Sequence, residues 1–135
     1  MSESYPHNYA INLLCQKLQQ AEKSAKHEYC NYGPFQWRHN YGVHKELAFY
    51  DGSSPYYFEM SEPSTKKLFT IDLTIFHKGI PLYLIEVVHT HKTPESKIKL
   101  IAEFFEGHDV HLHEIQALDI ARHNFDVLKT KVLLG

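Results

Sequence analysis

Two carboxylates stand inside the most apolar stretches of the sequence. Asp72 lies within Phe69–Phe76 and Glu86 within Leu82–Val88, with thirteen residues between them. An unpaired charge in a sheet core costs several kcal/mol, and a divalent cation is one of the few partners that offsets two such charges at once. Mg²⁺ accepts one or two carboxylates, with water and a substrate phosphate filling the rest of its shell. The acids therefore point to a Mg²⁺ (or Mn²⁺) site. The ordinary alternative pairs them with backbone groups or with Lys66 and Lys67. The chain also has eleven histidines. His89 with His91, and His111 with His113, are pairs in which a strand would put both imidazoles on one face, so a zinc-binding protein is a second reading. Histidines at such spacing are more commonly surface residues of a sheet.

The elements that must position these groups are legible in part. His77, Lys78 and Gly79 separate two apolar strands, Leu68–Phe76 and Leu82–Val88, with a length suited to a hairpin. That hairpin brings Asp72 beside Glu86 in the middle of a sheet. Thr93 reads as a helix cap, Pro94 as first-turn proline and Glu95 as an acid at the positive end of the helix dipole. Ile98, Ile101, Ala102, Phe104 and Phe105 give that helix an apolar face, and Gly107 ends it. From Asn8 to His27, Ile11, Leu14, Cys15, Leu18, Ala21 and Ala25 recur at three- and four-residue spacing, which predicts an amphipathic helix. Between Tyr29 and Tyr50 no period persists, and the reading is a loop followed by a short element around His44–Tyr50. Asp51 to Pro55 form a turn, Tyr56–Met60 a short strand, and Ser61 to Thr65 a loop. Val110, Leu112 and Ile115 suggest another strand, and Leu118 to Leu134 a last helix with Ile120, Ala121, Phe125, Leu128 and Val132 on one face. This order implies an α/β domain, a mixed β-sheet flanked by helices.

An Asp strand, a Glu strand and a following helix resemble the PD-(D/E)XK nuclease superfamily. More narrowly, Ile71-Asp72-Leu73, then Leu84-Ile85-Glu86-Val87-Val88-His89-Thr90-His91, then a helix containing Glu95-Ser96-Lys97-Ile98, is similar to the competence-protein CoiA-like branch. The resemblance covers about forty residues, Phe69 to Phe105. It implies a restriction-endonuclease-like core in a single domain over residues 1–135 and metal-dependent hydrolysis of phosphodiester bonds in DNA, or RNA. Asp72, Glu86 and the backbone carbonyl of Val87 would hold Mg²⁺ or Mn²⁺, with Glu59 as a further ligand. The superfamily's usual lysine stands two residues after the Glu, where this chain has Val88. Lys97, one turn into the helix, is the candidate migrated lysine, and His91 is the other candidate to orient water or bind metal. Without either, the domain would be an inactive nuclease-like fold that binds nucleic acid or a protein partner.

Composition sets outer limits. The 135 residues suit one domain, 43% hydrophobic and 22% charged residues are those of a globular protein, and a net charge of −2 leaves polyanion binding to a local patch. Lys66, Lys67, Lys92, Lys97 and Lys99 could form such a patch and neutralise phosphates. Phe35, Trp37, Tyr41, Tyr50, Tyr56, Tyr57 and Phe58 could stack bases, although core packing is the commoner use of such residues. The apolar runs are far shorter than a membrane span requires. Cys15 and Cys30 are too few for a disulfide framework, which together with the N-terminal sequence favours a cytoplasmic protein; Cys15 reads as a packed thiol. A homodimer would give so small a chain a second site.

Overall fold

The computed structural model describes residues 5–25, 29–38, 42–54, 66–122 and 129–135. Along the chain these form α1 (Tyr5–Ala25), β1 (Tyr29–Tyr32), β2 (Phe35–Arg38), β3 (Val43–Tyr50), β4 (Lys67–His77), β5 (Ile80–Val88), α2 (Glu95–Phe104), β6 (His111–Gln116), α3 (Ala117–Arg122) and β7 (Lys131–Leu134). The expected strand at Tyr56–Met60 and loop at Ser61–Thr65 lie outside the described residues, as do Phe125 and Leu128.

The β4–β5 hairpin turns through Lys78 and Gly79 at φ +55° and +83°. Positive φ at both central residues is the turn whose twist matches the flanking strands, and glycine takes one of the two positions without strain. β4 and β5 occupy the interior of a five-stranded sheet of order β3-β4-β5-β6-β7. All its neighbours are antiparallel except β5 and β6. That parallel pair is joined through α2, because two parallel strands need a crossover of helical length. The described residues thus form a mixed α/β structure with a mixed sheet flanked by helices.

The core has two parts. Leu14, Leu18, Phe35, Trp37, Leu73, Ile75, Ile85, Val87 and Ile120 belong to one, under α1, α3 and the β1–β2 hairpin. Phe49, Phe69, Ile71, Leu84, Ile101, Phe105 and Leu112 belong to the other, under α2. Consecutive strand residues point to opposite faces, so Leu84 and Ile85 serve different cores. β4 contributes to the second core up to Ile71 and to the first from Leu73, and Asp72 is the residue between. Phe35 and Trp37 are fully buried, which assigns them to packing rather than to base stacking.

Three sequence expectations are corrected. The segment from Tyr29 to Tyr50 holds the β1–β2 hairpin and the eight-residue strand β3 rather than a loop and a short element. In the four-residue strands only Cys30, Phe35 and Trp37 point inward, too few for a period to register. Thr93 does not cap α2: the N-cap is Pro94, with extended backbone and no side-chain cap bond. Finally, the helix predicted over Leu118–Leu134 does not reach Leu134: α3 is described over Ala117–Arg122, residues 123–128 lie outside the described residues, and Lys131–Leu134 is a strand on the edge of β6. The open edge of β6 supplies hydrogen-bond partners for this segment, and local periodicity carries no information about that edge. No helix among the described residues is long and apolar enough to cross a membrane.

Candidate functional site

Asp72 and Glu86 meet where β4 and β5 leave their regular pairing. Leu73 opposite Ile85 is a regular pair of the ladder; next to it, the side chains take over. The backbone N–H of Asp72 donates to Glu86 Oε2 at 3.1 Å, and the backbone N–H of Val87 donates to Asp72 Oδ2 at 2.8 Å. Each strand's acid thereby accepts an amide of the other strand, which fixes both carboxylates without a cation between them.

Burial and the neighbouring acid act on Asp72 in the same direction. The Asp72 carboxyl is pushed up to about 7, first by burial and then by the neighbouring Glu86 charge, against the Val87 N–H, His7 and Lys97, which favour ionisation. Lys97 answers the second acid. It lies in the first turn of α2, and its Nζ pairs with Glu86 Oε1; the side chains are 25% and 7% exposed, respectively. Lys97 therefore reaches Glu86 from the helix, while Val88 is buried on the strand. His7, on the first turn of α1, places Nε2 3.4 Å from Asp72 Oδ2.

Asp72 and Lys97 also line an open cleft of about 920 Å³ whose walls include Asn8, Glu46, Tyr50, Lys67 and Ser96. Glu46 stands at φ +53°. That conformation is uncommon for a residue with a side chain, and the β3–β4 register has no pair at Glu46 although Lys45–Leu73 and Leu47–Ile71 are paired on either side. In that register Glu46 stands opposite Asp72, and both line the cleft.

Other expected participants fall elsewhere. His91 is exposed in the loop between β5 and α2, and no hydrogen bond or ion pair joins it to Asp72 or Glu86. Lys66, Lys67, Lys92 and Lys99 are exposed, and of these Lys67 borders the cleft. Glu59 lies outside the described residues. The four-histidine zinc reading is not supported: His111 is paired with Tyr83 near the start of β5, whereas His89 follows the end of that strand. Six residues of extended chain separate those positions by about 20 Å. His113 faces Phe35 and Tyr83 and meets Thr130 Oγ1 at 2.8 Å. Burial, followed by the His111 charge, lowers its pKa. Among the described residues no three His, Cys, Asp or Glu side chains converge as a ready ligand cluster.

Sequence reasoning missed His7, Glu46 and Glu114. Glu114 is buried beside Glu86, as its partner in the parallel register. An acid between His113 and Ile115 in the strand segment around Leu112 was the available signal, weaker than the apolar neighbours on both sides that mark Asp72 and Glu86. His7 carries no such signal, because its approach to Asp72 depends on how α1 docks. No family model, curated protein or solved structure matches the chain.

Proposed function

We propose that this protein is a metal-dependent nuclease of the PD-(D/E)XK type, close to the CoiA-like branch, with a restriction-endonuclease-like core and a site at Asp72, Glu86 and Lys97. The observation that carries the reading is the reciprocal clamp of Asp72 and Glu86 across the hairpin, with a lysine delivered to the same carboxylate from the next helix. Two carboxylates, the Val87 carbonyl and water are a donor set that suits Mg²⁺ or Mn²⁺. The raised Asp72 carboxyl fits the same reading, since a cation beside the pair would offset both the burial and the Glu86 charge that keep its proton on. When bound, the ion supplies Lewis-acid polarisation of a phosphate and a more acidic water.

The chain's own groups do the remaining work. Asp72 lines the cleft, and with Glu86 held beside it fixes the reaction centre there. Lys97, with no acceptor capacity and a full positive charge, neutralises charge that develops on a phosphate oxygen there. Lys67 on the rim favours a polyanionic substrate, and DNA is the first substrate to test. Loss of β5's usual lysine to Val88 is compensated by Lys97 in this scheme.

The test is cleavage of circular plasmid, linear duplex, single-stranded DNA and RNA with Mg²⁺ or Mn²⁺, comparing wild type with Asp72→Asn, Glu86→Gln and Lys97→Met. Cleavage by wild type that each substitution lowers by at least about 100-fold supports the site. Equal behaviour of wild type and variants on every substrate overturns the catalytic reading and leaves a nuclease-like binding domain, whose partner is then nucleic acid or protein.

A further inference from the structure

The strand after α2 carries a buried carboxylate that this chemistry does not use. Glu114 is 6% exposed. It neighbours Glu86 in the parallel register, so the two side chains share one face of the sheet. Burying a second acid beside Glu86 is costly unless its oxygens are hydrogen-bonded. Its Oε2 accepts the backbone N–H of Thr93 at 2.8 Å.

We propose that Glu114 is a positioning residue that ties the loop between β5 and α2 to the sheet and so delivers Lys97 to Glu86. The linkage runs through three consecutive contacts. Glu114 holds the Thr93 N–H. The next residue, Pro94, is the N-cap of α2, and its carbonyl accepts the Lys97 N–H at 3.1 Å. Lys97 Nζ then pairs with Glu86. Beyond the Lys97–Glu86 pair, α2 has no side-chain cap bond at this end, and Thr93 Oγ1 is buried without a hydrogen-bond partner among the described residues. Pro94 has no N–H to offer, so the Thr93 amide is the last backbone donor before the helix.

The catalytic consequence rests on the nuclease reading; the mechanical one does not, and the test separates them. Amide hydrogen exchange at Thr93 and amine-labelling rates at Lys97 are measured in wild type, Glu114→Ala and Glu114→Gln. Loss of a charge-assisted bond raises Thr93 exchange by about 10- to 100-fold in Glu114→Ala. Lys97 labelling rises with it, while Lys66 and Lys67 label as before. Glu114→Gln keeps an acceptor oxygen and restores both rates towards wild type. On a cleaved substrate, Glu114→Ala lowers kcat by about 10- to 100-fold with KM retained, and Gln recovers most of it. Thr93→Pro deletes the donor from the loop side and repeats the measurement at Lys97 if Glu114→Ala does not fold. Unchanged Thr93 exchange and Lys97 labelling in Glu114→Ala, or a Gln variant as impaired as Ala, overturns the proposal. A wild-type protein that cuts nothing overturns the nuclease reading, and the exchange and labelling rates still decide the tether.

Discussion

Asp72 and Glu86 each accept a backbone amide from the opposite strand, at 2.8 Å from Val87 and 3.1 Å from Asp72 itself. The pairing holds the acids close while doing nothing to neutralise them. Lys97 pairs with Glu86, while burial and then the Glu86 charge raise the Asp72 carboxyl to about 7.

This arrangement makes stability depend on pH. The Asp72 carboxyl is raised from 3.8 to about 7 in the folded protein, so the native state binds the extra proton between those values. Its contribution is fully present below the lower value and is lost as pH rises through the upper one. Asp72→Asn keeps an oxygen for the Val87 N–H and removes the charge. We expect it to stabilise the protein at pH 8 by about 2–4 kcal/mol and to change little at pH 4, read by urea unfolding at both pH values. A variant no more stable than wild type at pH 8 would show that Asp72 is comfortably ionised.

Metal affinity should follow the same titration. A carboxylate must lose its proton to become a ligand, so Mn²⁺ binding should tighten from pH 6 to pH 8 and level off above. At a free ion concentration 100 times Kd, wild type gains about 2.7 kcal/mol of stability. Isothermal titration and thermal unfolding, with Asp72→Asn as the comparison, check this. Equal response of the two proteins would remove Asp72 from the ion's shell.

The Lys97–Glu86 pair is a coupling that a double-mutant cycle can measure. Lys97→Met leaves a nearly buried Glu86 charge without its cation and should cost about 1–3 kcal/mol, less than a fully buried pair because the lysine is one-quarter exposed. Glu86→Gln added to Lys97→Met should recover part of that loss. Strictly additive single effects would mean that the pair contributes nothing.

A buried acid on α1 gives a prediction unrelated to the site. Trp37, the only tryptophan, donates its indole N–H to Glu22 Oε2 at 3.0 Å in the core. Glu22→Ala strands that donor and should destabilise the fold by about 1.5–3 kcal/mol, with Glu22→Gln costing less. Trp37 fluorescence through a denaturant titration reports both values. An Ala variant as stable as wild type would mean that the indole finds another acceptor.

Local sequence was enough to bring Asp72 and Glu86 together, because a two-residue turn sets the register of a hairpin and its turn residues, Lys78 and Gly79, lie between the strands they join. Helical spacing was likewise enough for α1 and for α2 with Lys97 in its first turn. Tertiary structure decided what faces those groups. β7 exists because β6 has an edge to pair with, Glu114 meets Thr93 because β6 lies parallel to β5, and His7 nears Asp72 because α1 docks over the sheet. Each of these contacts joins segments far apart in the chain. Such contacts are selected by burial and by the hydrogen-bonding needs of another element, neither of which leaves a period or a turn signal in the segment itself.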